Sequence, residues 1–242
     1  MSAMALEALR HTWRISQWWR EFVDQAWFLT KVTSIPILLV AIPLGATISL
    51  QVGQIVAQLG AQSFTGTAVV VGLVREAAPI ATALLISGAG GSAMAADMGA
   101  RRVRDELAAM EVMAVNPVHR LVTPRLWAAV VVGVLLVSLV VVSGVAGGYF
   151  FNVVVQGVTP GAFFNGATSL LVPSDLVVSL LKAAIFGFVA AVVACYRGMN
   201  CDYGPVGVGR AVNQAVVQTF IVVFAANYII TSLYFVLVPP EI

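Results

Sequence analysis

The sequence predicts an all-α membrane protein with an N-terminal amphipathic helix, five transmembrane helices and a short charged helix between spans two and three. Hydrophobic residues make up 60% of the 242-residue chain and charged residues only 10%, whereas a typical soluble domain has about 25% charged residues. Five apolar stretches exceed the roughly 20 residues that a helix needs to cross a bilayer. These stretches are residues 32–58, 66–96, 124–151, 175–196 and 211–238.

The predicted N-terminal helix covers residues 9–28, within a segment 1–31 that precedes the five-span region 32–242. Its apolar residues recur at helical spacing, and charged and amide side chains occupy the other face. Trp18 and Trp19 lie beside basic residues, a pattern typical of a helix in the lipid headgroup region. The segment lacks the apolar core and cleavage site of a signal peptide, so we expect the N-terminus to be retained.

Small residues follow one another at a spacing of four near the end of span two. Small side chains allow two helix backbones to approach closely, so this stretch is predicted to be a helix-packing face. It lacks the lysine and the preceding strand of a phosphate-binding loop, which argues against a nucleotide site. The four residues are Ser87, Gly91, Ala95 and Gly99.

The basic residues predict the orientation of the chain in the membrane. Four precede span one, five lie between spans two and three, and two lie between spans four and five. The loops after spans one and three contain none. Because cytoplasmic loops carry the excess of lysine and arginine, we expect a cytoplasmic N-terminus, a cytoplasmic 99–125 stretch and an extracytoplasmic C-terminus.

Three ionisable residues fall inside the predicted spans at similar depth: Arg75, Glu76 and Lys182. Ionisable groups at membrane depth usually face a cavity or a partner. One interpretation is that they line a cavity and engage a polar lipid headgroup. The other is a structural ion pair, such as Glu76 with Lys182, that fixes the helix bundle. Asp175, at the start of span four, is predicted to complement the dipole of that helix.

The polar stretch 99–125 separates spans two and three, and its first part, about 99–114, is predicted to be a short helix. Arg101 and Asp105 are four residues apart, as are Arg102 and Glu106, so two ion pairs are expected on one exposed face. The other face carries an apolar stripe. A helix outside the bilayer that still has an apolar stripe is expected to pack against a partner. The stripe consists of Val103, Leu107, Met110 and Ala114.

Residues 75–128 resemble the signature region of the MlaE/YrbE family, the permease subunits of lipid ABC importers that work with MCE proteins. The matching features occur in order: the Arg75-Glu76 pair, the small-residue helix, the charged helix ending in MEVM, the NP turn and the PR opening of the next span. The resemblance covers nearly the whole chain, including Lys182 and the VGRA stretch at 208–211.

Two short segments, 19–22 and 195–198, are similar to the actinobacterial YrbE branch of this family. Ala89 stands where many relatives have an arginine. That departure fits a permease pair in which a second, non-identical subunit supplies the missing polar contact.

The resemblance implies that the charged helix is a coupling helix, inserted in a groove of a cytoplasmic ATPase dimer. This chain would then be a non-catalytic permease subunit, with ATP and Mg²⁺ bound by the partner ATPase. A second permease subunit, extracytoplasmic MCE proteins and a lipid substrate complete the implied assembly. The residues expected to contact the ATPase are Arg101, Arg102, Val103, Glu106, Leu107, Met110 and Glu111.

Two other functions remain open. A stand-alone secondary lipid carrier would be expected to show an internal repeat or an ion relay, and neither is evident. A membrane scaffold would not require Arg75 and Glu76 at membrane depth. An apolar cavity with few polar groups accepts fatty acids, sterols or phospholipids alike.

The histidines lack metal-ligand neighbours. The spacing of Cys195 and Cys201 matches no metal or redox motif, so both are expected to be ordinary free thiols.

Overall fold

The computed structural model describes residues 1–10, 15–60, 64–169 and 172–237, and every regular element in these ranges is helical. Residues 11–14 of the predicted N-terminal helix and residue 238 of predicted span five lie outside the described residues. The helices are α1 (Ser2–Arg10), α2 (Ile15–Gln58), α3 (Thr65–Val103), α4 (Glu106–Val112), α5 (Val118–Val155), α6 (Pro160–Ser169), α7 (Pro173–Met199) and α8 (Pro205–Leu237).

Five of the described helices, α2, α3, α5, α7 and α8, are long and apolar enough to cross a membrane. They coincide with the five predicted spans, which confirms the prediction of an all-α, multi-pass protein. Helix α2 is a single helix of 44 residues, so the chain continues through residue 31 without the predicted boundary. The first proline after Ile15 is Pro36, and nothing before it interrupts helical hydrogen bonding.

Helices α3 and α5 each contain π-helical turns. In α3 these turns are Leu73–Ala77 and Ile86–Gly91, and in α5 they are Val118–Val122 and Phe151–Val155. A π-helical turn inserts one extra residue per turn and redirects the side chains that follow it; such turns are frequent at functional sites.

The contacts divide the chain into two units. Unit one comprises Met1–Thr33, Ala83–Gly133 and Ala184–Ile242, and unit two comprises Ser34–Thr82 and Val134–Ala183. A buried apolar cluster in unit one contains Ala83, Phe186 and Val223. The corresponding cluster in unit two contains Val70, Val74 and Phe163.

Helices α2 and α5 pack backbone to backbone inside unit two. A Cβ atom placed on Gly45 would lie 1.9 Å from the carbonyl oxygen of Gly144, and one placed on Gly147 would lie 2.3 Å from that of Ile42. Any side chain at either position would force the helices apart. Glycine therefore sets the distance between these two spans, as is usual where dispersion forces rather than water exclusion drive helix association.

The small-residue stripe of α3 lies at a similarly close contact in unit one. Its four members, Ser87, Gly91, Ala95 and Gly99, are all buried. A Cβ on Gly198 of α7 would lie 2.6 Å from the carbonyl oxygen of Ala95, and a Cβ on Gly99 would lie 3.1 Å from Val208 in α8. The stripe therefore contacts both α7 and α8.

The predicted helix 99–114 is wrong as a single element, because the helix breaks at Arg104 and Asp105. Asp105 has a φ of +57°, a left-handed conformation that turns the chain between α3 and α4. The predicted pairs Arg101–Asp105 and Arg102–Glu106 are replaced by others, since the break removes the spacing they need. Arg101 pairs with Asp97 at 3.2 Å and with Glu106 at 3.5 Å, and Arg104 pairs with Glu106 at 3.0 Å.

The far end of α4 closes in a Schellman motif. The Val115 amide donates to the Met110 carbonyl over 2.9 Å, and the Ala114 amide donates to the Glu111 carbonyl over 3.0 Å. This motif requires a left-handed residue, usually glycine. Here that residue is Ala114, with a φ of +59°, so both ends of α4 are held by non-glycine residues in a conformation that costs about 1–2 kcal/mol.

Replacing Ala114 by glycine should raise the free energy of unfolding by up to about 1 kcal/mol, because the strain of the left-handed Cβ disappears. Denaturant titration of the purified protein in detergent measures this change. Ala108→Gly is the matched control, because Ala108 is an exposed residue inside α4 and glycine there should cost about 1 kcal/mol. Equal losses of stability in both variants would contradict the strain at Ala114.

Candidate functional site

Four charged side chains come together in unit two, and we call them the charged quartet: Arg75, Glu76, Asp175 and Lys182. The guanidinium of Arg75 donates to both carboxylate oxygens of Asp175, from Nε over 2.8 Å and from Nη2 over 3.0 Å. The ammonium of Lys182 donates to Glu76 Oε1 over 3.0 Å and to the Arg75 carbonyl oxygen over 2.9 Å. The quartet contains two bases and two acids, so its formal charges cancel.

Local geometry explains how two helices supply this cluster. Arg75 and Glu76 are adjacent in the π-helical turn Leu73–Ala77 of α3. Asp175 and Lys182 are seven residues apart in α7, which places them two turns apart on the same face of that helix. Each base and acid on α3 therefore meets a partner of opposite charge on α7.

In each ion pair one side chain is buried, and the other, which we call the open member, is partly exposed to solvent. The Asp175 side chain is 0% exposed and the Arg75 side chain 27%. Similarly, the Lys182 side chain is 2% exposed and the Glu76 side chain 38%. Both open members lie on α3, where a polar group that approaches the quartet can reach a cation and an anion side by side.

The pair between Glu76 and Lys182 was one of the two interpretations of the sequence, but the role predicted for Asp175 was incomplete. Asp175 does lie in the first turn of α7, where its Oδ2 accepts the Val172 amide over 3.2 Å, as expected of a capping residue. Its bidentate pairing with Arg75 was missed. The seven-residue spacing between Asp175 and Lys182 is the sequence signal that would have revealed it.

A second charge network lies in unit one, centred on the buried side chain of Arg125. Arg125 Nη2 lies 2.6 Å from Asp97 Oδ2 and 3.9 Å from Glu21 Oε1, while Nη1 donates to the Leu121 carbonyl over 2.9 Å. Asp97 also accepts from Arg101. We call this set the arginine network. Its centre was not predicted, because Arg125 belongs to the polar stretch 99–125, which is expected to lie outside the bilayer.

The predicted coupling residues divide into buried and exposed groups. Leu107 is 4% exposed, so its side chain packs within its own chain instead of facing a partner, and Val103 and Met110 are half-buried. Exposed apolar side chains occur further along: Val112 is 88% and Met113 66% exposed. The outward apolar surface is therefore at the C-terminal end of α4.

The charged residues of the same stretch also differ in their contacts. Arg101 and Glu106 form an ion pair across the break between α3 and α4. The Arg102 guanidinium lies 5.7 Å from the centre of the Tyr203 ring, within the range of a cation–π interaction. Glu111 is exposed.

Cys195 and Cys201 are both free thiols and buried. Burial raises the pKa of the Cys201 thiol above its ordinary value, because removal from water disfavours the thiolate.

Asp175→Asn should lower the free energy of unfolding by about 3 kcal/mol, because the substitution removes the carboxylate that compensates Arg75 in a buried pair. Thermal unfolding of the purified protein in detergent measures the loss. Asp24→Asn makes the same chemical change at an exposed position of α2 and should change stability by less than about 0.5 kcal/mol. If the two variants were equally stable, the Arg75–Asp175 pair would not hold α3 to α7.

Comparison with known proteins assigns the chain to a family. The family model described as Permease MlaE matches residues 22–233. A probable ABC transporter permease protein of Rickettsia felis is 34% identical over 191 residues, covering 79% of this chain and 74% of the relative. The intermembrane phospholipid transport system permease protein MlaE of Haemophilus influenzae is 31% identical over 200 residues, covering 82% and 77%.

A more distant relative is the chloroplastic protein TRIGALACTOSYLDIACYLGLYCEROL 1 of Arabidopsis thaliana. It is 27% identical over 198 residues, which cover 82% of this chain and 57% of the relative. The family match spans three of the five candidate spans completely and nearly all of α2 and α8. It includes the charged quartet and every member of the arginine network except Glu21. This chain belongs to the MlaE permease family and is a multi-pass membrane protein.

Proposed function

We propose that this chain is the transmembrane subunit of an ATP-driven lipid transporter, in which the charged quartet contacts the polar head of the lipid. The names of the relatives support this: several are ABC transporter permeases, and one belongs to a phospholipid transport system. The observation that carries the proposal is the half-open geometry of the quartet. The quartet leaves a cation and an anion accessible side by side on α3, which a pair that only joined two helices would not need.

The polar head is the part of a lipid that needs such a site. Arg75 offers a cation to a phosphate or carboxylate, and Glu76 offers an acceptor to an ammonium or hydroxyl group. Asp175 and Lys182, which are almost fully buried, hold these two side chains in position. Phospholipids, fatty acids and sterols all carry a head of one of these kinds, and we propose import of such a lipid.

Energy for transport would come from an ATPase that binds at α4. The exposed apolar side chains Val112 and Met113 would enter a groove of that ATPase, and Arg104 and Glu111 would form the charged rim. ATP and Mg²⁺ would be held by the ATPase dimer. By the positive-inside rule, α4 and the N-terminus would be cytoplasmic and the C-terminus extracytoplasmic.

The complete transporter would contain a second, non-identical permease subunit paired with this chain, in keeping with the alanine at position 89. Extracytoplasmic MCE proteins would deliver the lipid to the permease pair. This arrangement keeps the lipid tail away from water along its route.

The role of the quartet can be tested with the double variant Glu76→Leu, Lys182→Leu. Removing both members leaves no uncompensated charge from that pair, so the protein should fold. In proteoliposomes containing the assembled transporter, ATP-dependent transfer of a fluorescent phospholipid should fall at least about tenfold, a loss of about 1.4 kcal/mol of stabilisation. Asp24→Leu with Lys31→Leu changes one acid and one base at exposed positions of α2 and should transport normally. Unchanged transport in the quartet variant would leave only a structural role.

The coupling surface can be tested with Val112→Lys and Met113→Lys together. Lysine is tolerated at the C-terminal end of a helix because it complements the dipole, so α4 should persist. The double variant should no longer co-purify with the ATPase, because two charges would enter an apolar contact. The control is Leu59→Lys, at an exposed apolar residue after α2. Retention of the ATPase by the double variant would place the coupling surface elsewhere.

A further inference from the structure

An open groove of about 580 Å³ follows the surface of α8 in unit one. Its wall combines amide side chains, among them Gln214 and Gln218, with the exposed apolar side chains Val217 and Ile221. Arg197 of α7 also lines it. A volume between about 300 and 1,000 Å³ is typical of small-molecule sites.

A smaller polar pocket of about 150 Å³ adjoins this groove and shares two residues with it, Arg197 and Gln214. Its lining also includes Arg210 and one carboxylate, that of Asp202. Asp202 is highly exposed and its carboxylate lies 3.9 Å from Arg210, where water screens the attraction between them. The pocket therefore has a net positive charge.

Arg197 is held in place by neutral partners. Its Nε donates to Gln218 Oε1 over 2.8 Å, and its Nη1 donates to Gln214 Oε1 over 3.1 Å. The two glutamines are four residues apart and thus one turn apart on α8. These bonds fix the direction of the guanidinium, and no carboxylate in the described part of the chain forms an ion pair with it. A guanidinium has five donors in a planar fork suited to phosphate.

The basic pocket and the groove adjoin each other, as the charged head and the apolar tail of a lipid do. Arg197 lies two residues before the end of α7, and the pocket is formed where the chain passes from α7 to α8. From Gln214 to Val222 the groove follows α8 for about 12 Å, at 1.5 Å per residue, and becomes apolar. Basic pockets between transmembrane helices are suited to the heads of anionic lipids.

We propose that this site binds an anionic phospholipid of the surrounding membrane. The head phosphate lies between Arg197 and Arg210, and an acyl chain lies along Val217, Ile221 and Val222. None of these residues belongs to the charged quartet, so the site is separate from the proposed cargo contact. The proposal does not depend on the transport function, because it concerns binding of a lipid to the folded chain.

The head contact is tested by native mass spectrometry of the full chain in detergent with phosphatidylglycerol or phosphatidylcholine. Phosphatidylglycerol should bind about tenfold more tightly, and Arg197→Gln with Arg210→Gln should abolish that preference. Arg10→Gln with Arg20→Gln removes two exposed charges elsewhere in unit one and should preserve it. Equal binding of the two lipids by the unaltered chain, or an unchanged preference in the first variant, would overturn the proposal.

The chain contact is tested with Val217→Ser and Ile221→Ser, which should weaken binding of phosphatidylglycerol about tenfold. Ile229→Ser with Leu233→Ser alters two exposed apolar residues further along α8 and should not. Complete displacement of the lipid by millimolar inorganic phosphate would indicate a phosphate site alone. A change of oligomeric state in the groove variants at fixed lipid would indicate an interface between protein chains. Either result would overturn the lipid assignment.

Discussion

Burial of charged side chains in an apolar helical protein depends on ion pairs, and two such sets of pairs organise this molecule. An isolated charge in an apolar interior costs many kcal/mol, and a partner with good geometry offsets much of that cost. Arg125 satisfies the requirement in unit one through Asp97, and Asp175 and Lys182 satisfy it in unit two through Arg75 and Glu76. Each pair also fixes which helices are neighbours, because a different arrangement would leave a buried charge without its partner.

The two sets differ in which of their charged side chains are exposed to solvent. In the arginine network the arginine is enclosed and its acidic partners, Asp97 and Glu21, are partly exposed, so a chain of charges runs from Glu21 of α2 to Glu106 of α4. In the charged quartet one acid and one base are enclosed, and the open members carry both signs. A site with both signs can accept a zwitterionic head, which a site of one sign would repel in part.

The sequence was sufficient for the five spans and for part of the site. The spans were predictable because only long apolar helices satisfy backbone hydrogen bonds inside a bilayer, and Arg75, Glu76 and Lys182 were conspicuous there. The pairing of Asp175 with Arg75 was missed because it depends on α3 and α7 being adjacent, although the seven-residue spacing from Lys182 places both residues on one face of α7. The stripe at Leu107 correctly indicated burial, but a stripe does not reveal whether its own chain or a partner covers it. The break at Asp105 and the left-handed Ala114 were equally hidden, because neither position has a glycine to indicate a turn.

The two left-handed corners that bracket α4 have a mechanical consequence. A glycine at either position would make the chain flexible there, because glycine adopts several backbone conformations at similar energy. Asp105 and Ala114 are confined to a narrow region of backbone space, and the Arg101–Glu106 pair ties the two sides of the first corner together. The joints are therefore stiff. A push on the exposed end of α4 would be passed to the end of α3 as a displacement and would not be absorbed by bending.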